Sequence, residues 1–174
     1  VGVKVRRENA ARLSKDPSFF KAASVLYEAG RYGQKTGKGF YRYDEKRTRL
    51  DDPEAAKLIA EAAKELGLKP RKIAREEIVE RCFLPLVNEG ADILAEGIAL
   101  RAADIDVVWT CGYGFPRHKG GPMFHAERRG LKNVLAGIEK YRKIYGDEFW
   151  TPSPLLTRLA RESGTFAESG KDKL

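Results

Sequence analysis

The residues best suited to chemistry are three consecutive basic side chains, Arg117, His118 and Lys119. They lie in the segment 112–122, which includes four glycines and two prolines. Glycine admits positive φ and close backbone approach, whereas proline fixes φ at about −65° and donates no hydrogen bond. This density predicts a turn with the basic triplet at its bend. We predict that the triplet binds substrate and that its neighbours form a turn or an interface. Those neighbours are Gly112, Gly114, Phe115, Pro116, Gly120, Gly121 and Pro122.

Acid–base and metal chemistry are less well supported at this turn. His118 has a suitable side chain for a general acid or base, but its cationic neighbours disfavour the protonated imidazole. No second catalytic group lies near it in the sequence. His125 and Cys111 are close to His118, yet a fourth ligand at the regular spacing of a zinc site is missing. We therefore predict no metal site and a structural or phosphate-contacting role for His118.

Two glycine-rich segments fall short of nucleotide-binding motifs. The segment 33–39 has three residues between its glycines, where a phosphate-binding loop needs four, and Gly39 replaces the hydroxyl that binds magnesium. The segment 112–117 ends on Arg117 where the dinucleotide fingerprint requires glycine, and no strand precedes it. The sequence therefore predicts neither a nucleoside triphosphatase nor an NAD-binding unit within this chain.

A group of acidic side chains, Glu76, Glu77 and Glu80, is a candidate carboxylate cluster. These residues fall at the start of a predicted helix, where negative charge interacts favourably with the helix dipole. That interaction explains them more simply than acid–base catalysis does.

The composition is that of a globular protein, with 33% charged and 42% hydrophobic residues among 174. No apolar run approaches the roughly 18 residues of a membrane span, and the first residues lack a signal-peptide pattern. The sequence begins with Val1 rather than Met, so we expect a piece of a longer protein. Cys82 and Cys111 form no CxxC pair, which predicts buried thiols in a reducing compartment.

The net charge of +8 lies at one end of the chain. Residues 1–50 contain 13 basic and 5 acidic residues, whereas the remaining 124 contain 20 of each. A basic segment can attract nucleic acid, anionic lipid or a phosphorylated ligand. It can equally be a solvated face, or the partner of an acidic surface in another part of the protein.

Proline and glycine predict where the helices begin and end. Helices are expected from Pro17 to Gly30, over 53–66, 75–96, 103–109, 122–129 and 131–145, and from Pro154 to Gly164. Asp16, Asp52 and Ser153 precede three of them as candidate caps. Between the first two helices, 40–43 reads as a short extended piece and 44–50 as a charged linker. The pattern predicts an all-α domain over about 52–162, preceded by a helix-and-strand appendage.

The longest predicted helix has a broad apolar stripe at helical period, which predicts a buried face. Its members are Ile78, Val79, Cys82, Phe83, Leu86, Val87, Ile93 and Leu94.

Several long segments resemble multifunctional enzymes of fatty-acid β-oxidation, which combine enoyl-CoA hydratase with NAD-dependent 3-hydroxyacyl-CoA dehydrogenase. Residues 30–43 are similar to the end of the first C-terminal domain of those enzymes. Residues 77–81, 85–89, 96–98, 104–106 and 112–122 are similar to their second C-terminal domain. The resemblance covers about residues 20–165, with its motifs in the family's order.

This resemblance implies a division of the chain. Residues 1–50 would be the tail end of the first helical dehydrogenase domain, 51–165 the second and degenerate helical domain, and 166–174 a disordered tail. The implied fold is an all-α dehydrogenase C-terminal-like domain with a short N-terminal helix-plus-extended appendage. The upstream hydratase, Rossmann domain and first helical domain would belong to the same protein.

The resemblance also implies that this chain contains no catalytic residue. The family's catalytic His–Glu pair and its NAD site lie on the Rossmann domain, so this part holds no cofactor although the whole enzyme uses NAD. The family's catalytic Asn precedes an Arg, and the matching Arg81 is preceded here by Glu80. The second domain would then have kept its shape, lost its chemistry, and supplied inside one chain the partner that single-function dehydrogenases obtain by dimerising.

The implied function is a pseudo-dimer packing scaffold within a 3-hydroxyacyl-CoA-oxidising enzyme, inactive alone and with thiolase as a possible partner. Bacterial cytoplasm is the first expected location and the peroxisome the alternative. Two other classes stay open: a standalone interaction or dimerisation module, and a basic nucleic-acid-binding domain. The last lacks a recognised motif, so we expect no nucleic-acid partner.

Overall fold

The computed structural model describes residues 2–9, 14–69 and 71–169. The chain divides into two compact units, Val1–Lys72 and Ile73–Leu174. Within the described residues the structure is mostly helical, and its sheet consists of two short strands. The predicted all-α class is therefore confirmed. No helix in the described part is long and apolar enough to cross a membrane.

The first unit contains three helices and a hairpin among its described residues. They are α1 (Gly2–Glu8), α2 (Lys21–Glu28), β1 (Arg42–Tyr43), β2 (Arg49–Leu50) and α3 (Pro53–Glu65). Helix α2 packs against both α1 and α3. Leu26 of α2 and Ala55 and Ala62 of α3 are buried, because small side chains on α3 allow the two helices to approach closely.

The hairpin corrects the prediction of a charged linker over 44–50. Arg42 pairs with Leu50 and Tyr43 with Arg49 in antiparallel register. The turn between them is closed by the Asp44 side chain, which accepts a 2.7 Å hydrogen bond from the Thr48 amide. The Asp44 side chain turns the chain back on itself together with two backbone bonds, from the Arg47 amide to the Asp44 carbonyl and from the Asp44 amide to the Thr48 carbonyl. The charged residues of this segment therefore belong to a folded hairpin.

The second unit is built around one long helix. Its elements are α4 (Arg75–Ala95), α5 (Ala102–Gly112), α6 (Pro122–Arg129), α7 (Leu131–Tyr145), α8 (Pro154–Glu162) and α9 (Phe166–Ser169). Helix α4 contacts α5, α6, α7 and α8. Leu84 and Val87 of α4 are fully buried with Met123, Val134 and Leu156 from three of those helices. The core therefore surrounds α4.

Most predicted helix boundaries are confirmed to within two or three residues. Asp52 caps α3 by accepting hydrogen bonds from the amides of Glu54 and Ala55. Two predicted caps differ. Asp16 accepts a hydrogen bond from the Ser18 amide, but it lies five residues before Lys21, where α2 begins. Ser153 precedes α8 but makes no capping bond, and within the described residues its buried hydroxyl has no partner.

The predicted stripe on α4 is only partly buried. Phe83, Val87 and Leu94 lie in the core, whereas Ile78 and Val79 are each 52% exposed. Cys82 follows these two on the same side of the helix and is exposed, as is Cys111 at the end of α5. The prediction of buried thiols was wrong. For Cys82 the reason is that the stripe is wider than the face that the neighbouring helices of this unit cover.

Two predicted domain limits also differ from the structure. Helix α3 packs with the first unit, so the division between compact units lies between Lys72 and Ile73 instead of at 50/51. The first residues of the predicted disordered tail form α9, and Phe166 is 1% exposed within the core. Residues 170–174 lie outside the described part of the chain.

Candidate functional site

The predicted turn connects α5 to α6, two helices that pack against each other. Gly112 is the last residue of α5, the basic triplet forms one turn of 3-10 helix, and Pro122 opens α6. Phe115 packs against the core of the second unit, and its amide donates a 3.0 Å hydrogen bond to the Trp109 carbonyl. The turn thereby folds back against the end of α5 and fixes the direction in which α6 starts.

The start of α6 is held by the buried carboxylate of Asp106 on α5. Its two oxygens accept hydrogen bonds from the amides of Met123 at 2.7 Å and Phe124 at 3.1 Å. Burial raises the pKa of Asp106, the two amides oppose that rise, and the charge of Glu127 adds to it. This side chain satisfies two of the amides that have no partner inside the helix.

Gly121 is required where the turn meets Asp106. Its φ of 115° and ψ of 169° are accessible essentially to glycine alone. A Cβ at this position would also collide with the Asp106 side chain. The sequence analysis selected Gly121 as a turn residue, and its contact with Asp106 gives the physical reason.

Two of the three predicted substrate-binding residues share a cavity. The triplet is exposed on its 3-10 turn. A cavity of about 500 Å³, here called the basic cavity, is lined by His118, Lys119, Phe124, His125, Arg128 and Arg129. Arg117 is outside this lining. Sequence reasoning missed the contribution of α6, although Arg128 and Arg129 could have been found as a basic pair at a helix end.

His125 forms the inner wall of the basic cavity. Its ring is half-buried and lies edge-on to Phe83, with ring centres 5.2 Å apart. Burial lowers the pKa of His125, and the positive charges of Lys119 and Arg129 lower it further. The pKa shift therefore reflects both an apolar backing and a positive potential.

Metal ligands do not converge at this turn. Across the described ranges, no group of three His, Cys, Asp or Glu side chains is placed to hold a metal ion.

Glu80 participates in a network that joins three helices. Its carboxylate forms an ion pair with Arg129 of α6, accepts a 2.9 Å hydrogen bond from the Tyr141 hydroxyl of α7, and lies 3.7 Å from the Lys140 ammonium. The hydrogen bond from Arg129 lowers the pKa of Glu80, and this effect, with those of Tyr141 and Lys140, outweighs the opposing effect of burial. Glu80 is therefore an ionised cross-link between α4, α6 and α7.

The other members of the predicted carboxylate cluster have separate surroundings. Glu77 is 3.8 Å from Arg81 and accepts a 3.4 Å hydrogen bond from the Tyr145 hydroxyl. Glu76 is exposed in the first turn of α4. Glu77 and Glu80 are thus held by different cations, an arrangement that favours charge pairing over acid–base work.

The first unit has its own buried ionic cluster, centred on Arg31. Its guanidinium donates to the Gly39 carbonyl at 3.0 Å, to Glu54 at 2.7 Å and to Asp52. Burial alone would raise the pKa of Asp52, but the hydrogen bonds from Arg31 and the Ala55 amide lower it. Arg31 thereby connects the glycine-rich segment to the start of α3. An aromatic-lined cavity of about 750 Å³ lies beside it.

Asn88 is a structural residue that the sequence analysis passed over. Its amide nitrogen donates a 2.8 Å hydrogen bond to the Thr151 carbonyl, and its oxygen accepts one of 2.8 Å from the Ser153 amide. It ties the middle of α4 to the segment before α8. The sequence places this amide side chain among Leu84, Val87 and Ala91, which are core residues. Because buried amides need hydrogen-bond partners, that position could have predicted a structural role for Asn88.

Comparison with known proteins agrees with this architecture. A model of the family described as "3-hydroxyacyl-CoA dehydrogenase, C-terminal domain" matches residues 78–172, more than half of the chain. The solved dehydrogenase part of multifunctional enzyme 1 from C. elegans is similar to 89% of this chain and 34% of its own, with a TM-score of 0.62 and 26% identity.

Curated relatives include the peroxisomal bifunctional enzymes of Homo sapiens and Danio rerio. The human protein is 47% identical, and the match covers 79% of this chain and 20% of the human protein. The Danio rerio protein is 40% identical, and the match covers 91% of this chain and 24% of that protein. A glyoxysomal fatty acid β-oxidation multifunctional protein of Brassica napus is 41% identical, and the match covers 76% of this chain and 19% of that protein. The chain thus spans about a fifth of the length of these relatives. It belongs to the family of 3-hydroxyacyl-CoA dehydrogenase C-terminal domains.

Proposed function

We propose that this chain is the C-terminal helical part of a multifunctional β-oxidation enzyme, where it supports the dehydrogenase domains without contributing a catalytic group. The observation that carries the proposal is the state of Glu80. By resemblance this residue stands at the position of the family's catalytic Asn. Its carboxylate is already bound to Arg129 and Tyr141, so a structural network occupies that position.

Electrostatics support a noncatalytic Glu80. An Asn side chain offers both a donor and an acceptor, whereas an ionised carboxylate only accepts. The lowered pKa of Glu80 keeps it ionised at neutral pH. A residue in this state cannot donate a hydrogen bond to a substrate carbonyl, and its pairing with two cations favours a role in holding the helices together.

Exposed apolar side chains support a scaffold role. Ile78 and Val79 on α4 and Val107 and Val108 on α5 are each at least half exposed. The loop between these helices adds Ile98, which is 72% exposed. Exposed apolar patches commonly mark contact surfaces. We propose that the upstream helical and Rossmann domains of the same protein cover them, as the second subunit does in a dimer.

The parent enzyme would oxidise 3-hydroxyacyl-CoA with NAD and also carry hydratase activity. NAD would bind to the upstream Rossmann domain. We assign the peroxisome as its location, because the relatives described above are named as peroxisomal or glyoxysomal proteins. The peroxisome was the alternative location expected from the sequence, and it replaces the bacterial cytoplasm, which was the first expected location. A contact with thiolase remains a hypothesis that rests on the resemblance alone.

The test uses the full-length enzyme with and without residues 73–174. Dehydrogenase turnover is followed as NADH oxidation with a 3-ketoacyl-CoA, and stability as the thermal midpoint. We expect both to fall on deletion. Unchanged turnover together with an unchanged midpoint would contradict the scaffold role.

The variant Glu80→Gln in the same enzyme distinguishes a structural role of Glu80 from a catalytic one. Below the unfolding temperature this variant should keep the wild-type kcat while its thermal midpoint falls. A large loss of kcat at an unchanged midpoint would instead assign Glu80 to the reaction.

A further inference from the structure

The basic cavity is not explained by a scaffold role. Among the described residues, all the polar side chains that line it are Lys, Arg or His, and none is a carboxylate. Its volume of about 500 Å³ is within the range of small-molecule sites. A concave surface with charge of one sign concentrates ligands of the opposite sign. The cavity therefore has the size and the charge to hold a small anion.

Its positive charge is not cancelled by nearby acidic residues. Arg129 is paired with Glu80, but within the described residues neither Lys119 nor Arg128 lies in ion-pair contact with a carboxylate. Glu127 of the same helix turns elsewhere and accepts a 2.6 Å hydrogen bond from the Phe166 amide. Lys119 and Arg128 are thus available to an anion from outside.

The amides at the start of α6 are not available to an anion in the basic cavity. Asp106 already binds the first of them. An anion in the basic cavity would be held by side chains alone. Arg128 can offer a bidentate fork to a phosphate, and Lys119 a mobile point charge.

An aromatic ring completes the cavity. Phe124 is 51% exposed, and one part of its ring packs on Gly120, where a Cβ would lie 2.5 Å from the ring. Gly120 has a φ of 78°. Glycine is therefore favoured at this position for two reasons, because it adopts this φ without strain and because it leaves room for the ring of Phe124. Phe124 and Lys119 both line the basic cavity, and about half of the surface of Phe124 is accessible. Nucleobases stack on such surfaces irrespective of their sequence.

The geometry points to a binding site for a phosphorylated nucleoside, with Lys119 and Arg128 on the phosphates and Phe124 against the base. This inference is independent of the scaffold role, because it concerns binding by the chain itself. A free nucleotide, a dinucleotide and the nucleotide portion of coenzyme A share this chemistry, so the experiment includes all three.

The chain's histidines provide a direct reporter. It contains two, His118 and His125, and both line the basic cavity. Proton NMR of their ring signals is recorded while ADP, NAD, coenzyme A, adenosine or pyrophosphate is added to the 174-residue chain. We expect both signals to shift saturably with ADP. Bound phosphate should raise the pKa of His125 by offsetting the nearby cations.

Affinities measured by calorimetry at 150 mM salt test the assignment. The double variant Lys119→Ala/Arg128→Ala should bind ADP at least about tenfold more weakly, since it loses two charge-assisted contacts. Phe124→Ala should weaken ADP binding but leave pyrophosphate binding unchanged. Lys143→Ala/Arg158→Ala removes the same charges from exposed positions outside the cavity and should bind ADP as the wild type does. Circular dichroism confirms that each variant is folded.

Three results would overturn the inference. The first is that ADP, NAD and coenzyme A all fail to bind saturably. The second is that the Lys119/Arg128 variant binds ADP as tightly as the wild type, and the third is that the control variant loses as much ADP affinity as the Lys119/Arg128 variant does. The last would mean that general charge attraction explains the binding. If ADP binding is weakened in the Lys119/Arg128 variant and in Phe124→Ala but not in the control variant, the inference stands, and the tightest of the three ligands identifies its source.

Discussion

Glu80 uses one carboxylate to connect side chains that are far apart in the sequence. Arg129 and Tyr141 are 49 and 61 residues away, and both contact it directly. Helical periodicity predicts which residues share a face of one helix, but it carries no information on which residue of another helix lies opposite. The sequence could therefore identify Glu80 as unusual for its position without revealing its partners. The same holds for Asp106 and the amides of α6.

Replacing Glu80 by Gln should lower the free energy of unfolding at pH 7 by about 1.5–3 kcal/mol, the range for hydrogen bonds to a charged group. The folded-state pKa of Glu80 lies below its ordinary value of 4.5. Its ionised form therefore adds stability above about pH 4.5, and this stability is lost as the pH falls through the folded-state pKa. Urea denaturation from pH 7 to about pH 3 should show the difference between the two proteins shrinking once the pH falls below about 4.5.

Glu139→Gln is the matched control, because it removes an exposed carboxylate from α7. We expect its unfolding free energy to change by less than about 0.5 kcal/mol. A difference between Glu80→Gln and wild type that stays constant with pH would argue against an ion pair as the source of stability.

Helix limits could largely be predicted, because proline and glycine act through the local backbone. Pro53, Pro122 and Pro154 each open a helix. Burial was harder to predict. The apolar stripe of α4 contains both the buried Phe83 and the exposed Ile78, and only the positions of the neighbouring helices distinguish them. Local chemistry determined the elements, and packing determined which of their faces are covered.

The turn between α5 and α6 permits a comparison of two glycines. Gly121→Ala should destabilise the protein by at least about 2 kcal/mol, because alanine is strained at this φ and ψ and its Cβ would collide with Asp106. Thermal unfolding of the variant and the wild type measures this loss.

Gly112→Ala is the control from the same turn. Gly112 ends a helix, and an added Cβ meets nothing within 4 Å. Alanine should therefore be neutral or stabilise by up to about 1 kcal/mol. Equal effects of the two substitutions would mean that Gly121 is not constrained by the carboxylate.

The whole chain divides into its two compact units between α3 and α4, after Gly67 and Pro70, and not at the charged segment 44–50. The hairpin and α3 belong to the first compact unit, and α4 begins the second. A charged segment such as 44–50 is typical of a linker, but a linker and a hairpin can have the same composition. What distinguishes them here is pairing between strands, which depends on residues outside the segment.

Limited trypsin digestion should locate this division. Arg71 and Lys72 are exposed between α3 and α4, and exposed connecting segments between compact units are cleaved first. We expect the stable C-terminal fragment, identified by mass spectrometry, to begin at Lys72 or Ile73. A fragment that begins at 47, 48 or 50 would instead favour the division drawn from the sequence.

The Glu80 network also bears on whether lost chemistry could return. We have placed Glu80 at the position of the family's catalytic Asn. An Asn there would leave Arg129 and Lys140 without the carboxylate that now balances them. Residues that share one network contribute non-additively to stability, so an Asn at this position would be penalised until those cations had also changed. On the proposal that this domain is noncatalytic, the neighbours of Glu80 would oppose a single change of this residue to Asn.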